Sequence, residues 1–157
     1  MTDMDTTVVV RKEEPWSPEA QTLLDEMDAA QALFYGASGR SHWFNEEVSA
    51  ARGTFVVVRT TDGFALGCGA LRRWNYSVAE ITYLYSRVHE GGIERVLLSR
   101  LELDAAALGY AGVVIEADRA NRRAIAFCER NGFRERSFTS GCVRPLPTVL
   151  FEKALLP

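Results

Sequence analysis

At 157 residues, with 47% hydrophobic and 25% charged side chains, the chain has the length of one domain and the make-up of an ordinary globule that folds without metal or disulfide support. A net charge of −3 and a pI near 5.5 speak against a broad nucleic-acid face, and a mean hydropathy of −0.08 with no long apolar run excludes a membrane-spanning helix. The three cysteines, Cys68, Cys128 and Cys142, are odd in number and far apart, which fits reduced thiols rather than a disulfide framework, and none has zinc-ligand spacing.

The expectation is a single domain over residues 1–157, cytoplasmic. Met1 to Thr7 is acidic, lacks an apolar signal-peptide core and reads as a flexible tail. Val8 to Arg11 is a strand candidate. Ser17-Pro18-Glu19 then opens a helix, with serine as cap and proline at the first position, and Leu23, Met27, Ala30 and Phe34 form its apolar stripe until Gly36. A second short helix covers Phe44 to Ala51. Thr54 to Thr60 is β-branched and apolar, Asp62-Gly63 is a turn signal, and Phe64 to Trp74 alternates as the return strand. After Asn75-Tyr76 a further strand begins near Val78, completing an antiparallel meander.

The stretch from Glu80 to Asn121 organises the rest. An apolar run, Ile81 to Val88, meets Gly91-Gly92, and a helix opens at once with Ile93, Val96, Leu97, Leu101, Ala105 and Leu108 at helical spacing. Gly109 and Gly112 end it, and Val113, Val114 and Ile115 form a short buried strand of the kind that pairs parallel to the first. A glycine loop opening a helix leaves backbone N–H groups and the positive end of the helix dipole facing outward, so a phosphate or pyrophosphate is its natural guest. Asn121 caps a last helix whose Ala124, Ile125, Phe127 and Cys128 face inward until Asn131-Gly132, and Phe133 to Cys142 and Thr148 to Lys153 close the chain as strands.

Two segments carry a family resemblance. AEITYLYS leading into GGIERVLLSRLELDAAALGY resembles the pyrophosphate-binding motif of the GCN5-related N-acetyltransferases, and NRRAIAFCERNGF is similar to their Asn-x-x-Ala-Ile-x-x-Tyr-Glu-x-x-Gly-Phe signature. The resemblance runs from about Phe55 to Glu152. It implies an α/β (α+β) fold: a mixed, mostly antiparallel sheet with a splayed central parallel strand pair and helices on both faces, which agrees with the element order read above. It also implies transfer of an acetyl group from acetyl-CoA, with no metal, to a primary amine of a small molecule or peptide, and a homodimer through the last strands. Cofactor contacts are implied for Leu84, Tyr85 and Ser86 on the strand, for Gly91, Gly92, Ile93, Glu94 and Arg95 at the helix start, and for Asn121.

The departures from the family pattern open a second reading. His89 stands where the family has Arg or Gln, and Glu94 where it has a small residue. A carboxylate about 5 Å from a phosphate repels it by roughly 3 kcal/mol per unit charge at an effective dielectric near 20. Cys128 occupies the position of the tyrosine that protonates the departing thiolate; it is a candidate acid or simply a small core residue. The alternative is a GNAT-fold binding or regulatory module without catalysis.

Glu80 and Glu116 compete for the role of base, with Glu80 favoured because the acceptor enters from the side of the meander. Strict alternation would put Glu80, Thr82, Leu84 and Ser86 on one face and Ile81, Tyr83 and Tyr85 on the other. Tyr83 and Tyr85 are further cleft candidates, His42 an acceptor-pocket candidate, and Arg119, Arg122 and Arg123 a local basic cluster near the end of the cofactor.

Overall fold

The computed structural model describes residues 7–35, 44–88, 92–136 and 147–156, the side chains of 31–35 excepted. In chain order the elements are β1 (Val8–Lys12), α1 (Pro18–Tyr35), α2 (Phe44–Ser49), β2 (Thr54–Thr60), β3 (Ala65–Arg73), β4 (Val78–Ser86), α3 (Ile93–Ala107), β5 (Gly112–Asp118), α4 (Arg122–Arg130), β6 (Arg134–Glu135) and β7 (Thr148–Ala154). The seven strands form one sheet in the order β1-β2-β3-β4-β5-β7-β6. Every neighbouring pair is antiparallel except β4–β5.

Local signals place several of these ends. The Ser17 hydroxyl accepts from Ala20 N–H at 3.1 Å and the Asn121 carboxamide oxygen from Ala124 N–H at 3.0 Å, so both expected caps satisfy a helix-end donor. Two apolar layers result. On one face Ile93, Leu97, Leu98, Leu101 and Ala105 of α3 and Cys128 of α4 pack with Val56, Leu71, Ile81, Val113 and Phe151. On the other, Ala20, Leu23 and Leu24 of α1 and Phe44 and Val48 of α2 pack with Phe55, Val57, Cys68 and Ala70. Full burial of each Leu, Ile, Val or Phe stabilises by about 1.5–3 kcal/mol, and both layers meet on β2, β3 and β4.

Three expectations need correction. Val96 is 36% exposed, and Leu98 takes its place in the buried stripe of α3. Ala30 is exposed: α1 buries its first two turns, through Ala20, Leu23 and Leu24, with Met27 half-buried, while the side chain of Phe34 lies outside the described residues. Of the strand expected over Phe133 to Cys142, β6 occupies Arg134–Glu135, and residues 137–146 lie outside the described set. Cys68 and Cys128 are buried, and Cys142 lies outside the described residues.

Candidate active site

β4 is bulged. Its pairing with β3 matches Cys68 with Tyr85 but Ala70 with Thr82, three steps against two, and the extra residue is absorbed at Tyr83, whose φ is 54°. For a residue other than glycine this left-handed geometry is costly and needs its surroundings to hold it. β3 supplies the room: a Cβ on Gly67 would overlap the Tyr85 carbonyl oxygen, and one on Gly69 would lie 2.7 Å from Leu101 Cδ1.

The bulge overturns the strict alternation expected for β4. Ala79, Ile81 and Leu84 pack on the α3 side, whereas Tyr83 and Tyr85 pack with the α1/α2 layer. Glu80 faces that same α1/α2 side, where its partner Arg72 also meets Glu47 of α2. Glu80 therefore shares its face with the two tyrosines and not with Leu84.

Beyond Glu80 the two central strands part. The β4–β5 register is Val78↔Gly112, Ala79↔Val113 and Glu80↔Val114, and ends there. β4 nevertheless stays paired to β3 as far as Ser86, and β5 to β7 as far as Asp118. Each arm is held by its outer neighbour while a gap opens between them, with backbone polar groups along both inner edges.

The next element after β4 is α3. Gly92 is its N-cap, at φ 68° and ψ 25°, with no side-chain capping bond, and nothing would lie within 4 Å of a Cβ there. The first N–H groups of this 15-residue helix have no side-chain cap from Gly92, a geometry suited to an anion. Ile93 is buried beneath this turn, Glu94 and Arg95 follow it, and His89 and Gly91 lie outside the described residues. Glu94 is paired: its Oε1 lies 3.0 Å from Nη2 of Arg123, in the first turn of α4.

The candidate residues now have surroundings. Glu80 Oε1 accepts from Arg72 Nε at 2.8 Å, and Arg72 Nη1 reaches Glu47 Oε1 at 3.0 Å. Burial alone would lower the Arg72 pKa, yet Glu80 and Glu47 outweigh it and raise it. Glu116 is exposed on the other arm of the gap, with Thr148 Oγ1 at 3.5 Å. It lies on the face opposite Val113 and Ala117, hence on the same side of the sheet as Glu80. Cys128 is 2% exposed, and burial, followed by the charge of Glu129, pushes its thiol up to about 11. The Ser86 hydroxyl donates to the Val88 carbonyl, and the Asn121 carboxamide caps α4. Leu84 packs towards Leu101. His42 lies outside the described residues.

Sequence reasoning missed the acidic side of α1. Tyr83 Oη donates to Asp28 Oδ1 at 3.0 Å and Tyr85 Oη to Glu26 Oε1 at 3.1 Å, while Arg87 grips Glu26 at 2.7 and 2.9 Å. Arg87 holds Glu26 below the usual carboxylate range, and burial, then Glu26, raises the Tyr85 pKa. The ring of Phe44 sits 4.9 Å from that of Tyr83. The available signal was Asp25-Glu26-Met27-Asp28, three carboxylates within one turn of a helix otherwise read only for its apolar stripe. Among the described residues no three His, Cys, Asp or Glu side chains gather as metal ligands, and no helix is long and apolar enough to cross a membrane.

No family model matches the chain. An IAA acetyltransferase of Azospirillum brasilense is 27% identical over 152 residues, covering 94% of this chain and 98% of that protein. An acetyltransferase of Streptococcus agalactiae superposes with a TM-score of 0.76 at 16% identity, over 97% of this chain and 100% of the other. A GNAT-family acetyltransferase of Elizabethkingia anophelis with acetyl-CoA bound gives a TM-score of 0.70 at 17% identity, again over 97% and 100%. The fold is that of the GCN5-related N-acetyltransferases.

Proposed function

We propose that this chain is an acyl-CoA-dependent N-acyltransferase that acetylates a primary amine of a small molecule or peptide. One observation carries the reading: β4 and β5 separate after Glu80↔Val114 beside a helix N-terminus whose first N–H groups have no side-chain cap. A thioester with a diphosphate tail has the shape and charge for that pair of features. The Azospirillum brasilense relative and the acetyl-CoA-bound Elizabethkingia anophelis structure support it.

Bound there, acetyl-CoA supplies an activated acyl carbonyl with a thiol leaving group. The chain's part is to position and polarise. The opened inner edge of β4, around Tyr83 to Ser86, offers backbone N–H groups to the carbonyl, preorganised by the bulge and by pairing with β3. The acceptor enters on the α1/α2 side, where the hydroxyls of Tyr83 and Tyr85 lie and where both candidate carboxylates point. Glu80 is the base we favour, because Arg72 fixes its position on that face at the closed end of the gap. Cys128 stands at the position of the family's acid, and its burial in the α3/α4 core layer favours the other reading, a small core residue. The module without catalysis drew support from Glu94 as a repelling charge, and the ion pair to Arg123 weakens that argument.

Calorimetric titration with CoA and acetyl-CoA, followed by thiol release across a panel of amines, tests the reading. Micromolar binding and amine-dependent thiol release are the expected results, and absence of CoA binding sinks it. With an acceptor in hand, Glu80→Gln is expected to lose about a hundredfold in rate near pH 7 and to recover part of it at higher pH, with Glu116→Gln little changed. The reverse pattern would transfer the role to Glu116.

A further inference from the structure

We propose that Glu47, on α2, is a positioning residue for the base: by engaging a second nitrogen of Arg72 it keeps the guanidinium from closing on both oxygens of Glu80 and leaves Glu80 Oε2 open to the acceptor's proton. The inference rests on the Glu80 reading above and extends it to a helix outside the central strands.

Arg72 and Glu80 are direct partners across β3 and β4, so their side chains meet on one face of the sheet. A single hydrogen bond joins them, from Arg72 Nε to Glu80 Oε1 at 2.8 Å, while Arg72 Nη1 goes to Glu47 Oε1 at 3.0 Å. Among the described residues Glu80 Oε2 accepts no hydrogen bond. The same chain supplies the contrast. Arg87 has Glu26 as its bonded carboxylate and takes both of its oxygens, through Nε at 2.9 Å and Nη2 at 2.7 Å, and Glu26 is held below the usual carboxylate range. A guanidinium with one carboxylate in reach favours this two-bond fork. The second carboxylate on Arg72 is what sets Glu80 apart from Glu26.

The backbone seats Glu47 for this. Phe44 and Val48 of the same short helix are buried in the second apolar layer. A Cβ on Gly53 would overlap the Glu47 carbonyl oxygen, so the turn before β2 takes the backbone of α2 at a distance that glycine alone permits. The Glu47 carboxylate is thereby held within reach of Arg72.

The open oxygen has a use in the transfer. An acceptor arriving as an ammonium gives one proton to Glu80 Oε2 and becomes the free amine. Its nitrogen then bonds to the acyl carbon, the C–S bond breaks, the second proton leaves with the thiol, and Glu80 returns its own proton to solvent. A fork across both oxygens would hold the atom that takes the first proton and weaken it as a base.

The test combines crystal structures with kinetics on the full chain. The wild type should show one Arg72–Glu80 hydrogen bond and Glu47→Ala two. In thiol release from acetyl-CoA with the fastest amine of the panel, Glu47→Ala is expected to lose about tenfold in kcat with the KM for acetyl-CoA unchanged. Glu47→Gln, whose amide oxygen still accepts from Arg72, should lose less, and Glu47→Ala/Arg72→Met, in which no fork can close, should be faster than Glu47→Ala. Glu47 is 38% exposed, so its loss leaves the core intact, which the thermal midpoint of each variant checks. A single bond retained in Glu47→Ala, an unchanged rate, or a double variant slower than Glu47→Ala overturns the inference. Glu80→Gln, measured beside them, separates the two readings. If it loses about a hundredfold while Glu47→Ala loses nothing, the base reading survives without this one; if it keeps the wild-type rate, or if no amine releases thiol, both fall.

Discussion

Replacing Cys128 by alanine and following stability against pH tests how the thiol is buried, and with it whether the group can serve the gap between the strands. The thiol is 2% exposed within the α3/α4 core layer, and burial raises its pKa from 9.0 to about 11. In the unfolded chain the thiol ionises near 9, while in the folded protein it keeps its proton to about 11. Folding therefore retains a proton across that window, and the stabilisation is complete below pH 9 and is lost as pH rises through about 11. The difference corresponds to about 2.7 kcal/mol. Urea unfolding in reducing buffer, stepped from pH 7 to 11 for the wild type and Cys128→Ala, cancels the lysine and tyrosine titrations common to both. The gap between the two curves should be constant to pH 9 and then move against the wild type by about 2–3 kcal/mol. A flat difference refutes the burial argument and leaves a thiol with access to water. Cys128→Tyr supplies the steric counterpart: overpacking should destabilise it by about 1–3 kcal/mol, and no loss at all would mean that the side chain points into open space.

Two further substitutions probe the site's framework. Gly67→Ala sets a methyl against the Tyr85 carbonyl, so the thermal midpoint should fall by the equivalent of about 1–3 kcal/mol; an unchanged midpoint would mean that the bulge relaxes freely. Arg72→Met strips Glu47 and the 14%-exposed Glu80 of their shared cation and should destabilise by about 1–3 kcal/mol in urea titration, with added Glu80→Gln recovering part of the loss. Strictly additive losses would count against an interacting triad.

What the sequence made legible was local. Ser17, Asp62-Gly63, Gly92 and Asn121 signal their turns and caps through backbone chemistry within a few residues, and the structure has the helix and strand ends there. The parting of the central strands was anticipated through the family resemblance, and the structure places its start after Glu80. Features that depend on residues far apart in the chain stayed hidden. The phase of β4 is set by Gly67 and Gly69 on its neighbour, so alternation counted along β4 alone assigned Glu80 and Leu84 to one face. Arg72 reaches Glu47 on α2 and Arg123 reaches Glu94 on another helix, pairings that no short window on the sequence spans. The tyrosine contacts with Asp28 and Glu26 were missed for the same reason.

The doubled position at Thr82 and Tyr83 also bears on how the chain finds its register. In a plain hairpin a slip of two residues preserves both faces and costs only frayed ends. Here the β3 residue that takes the place of Gly69 must leave room for Leu101, and the one that takes the place of Gly67 must pass the Tyr85 carbonyl. A slip in one direction drives Leu71 against Leu101; in the other it sets the Ala65 methyl against Tyr85. With α3 docked on it, the β3–β4 hairpin therefore rejects its near-miss alignments, so the arm that bears the site can be correctly aligned before β5 arrives.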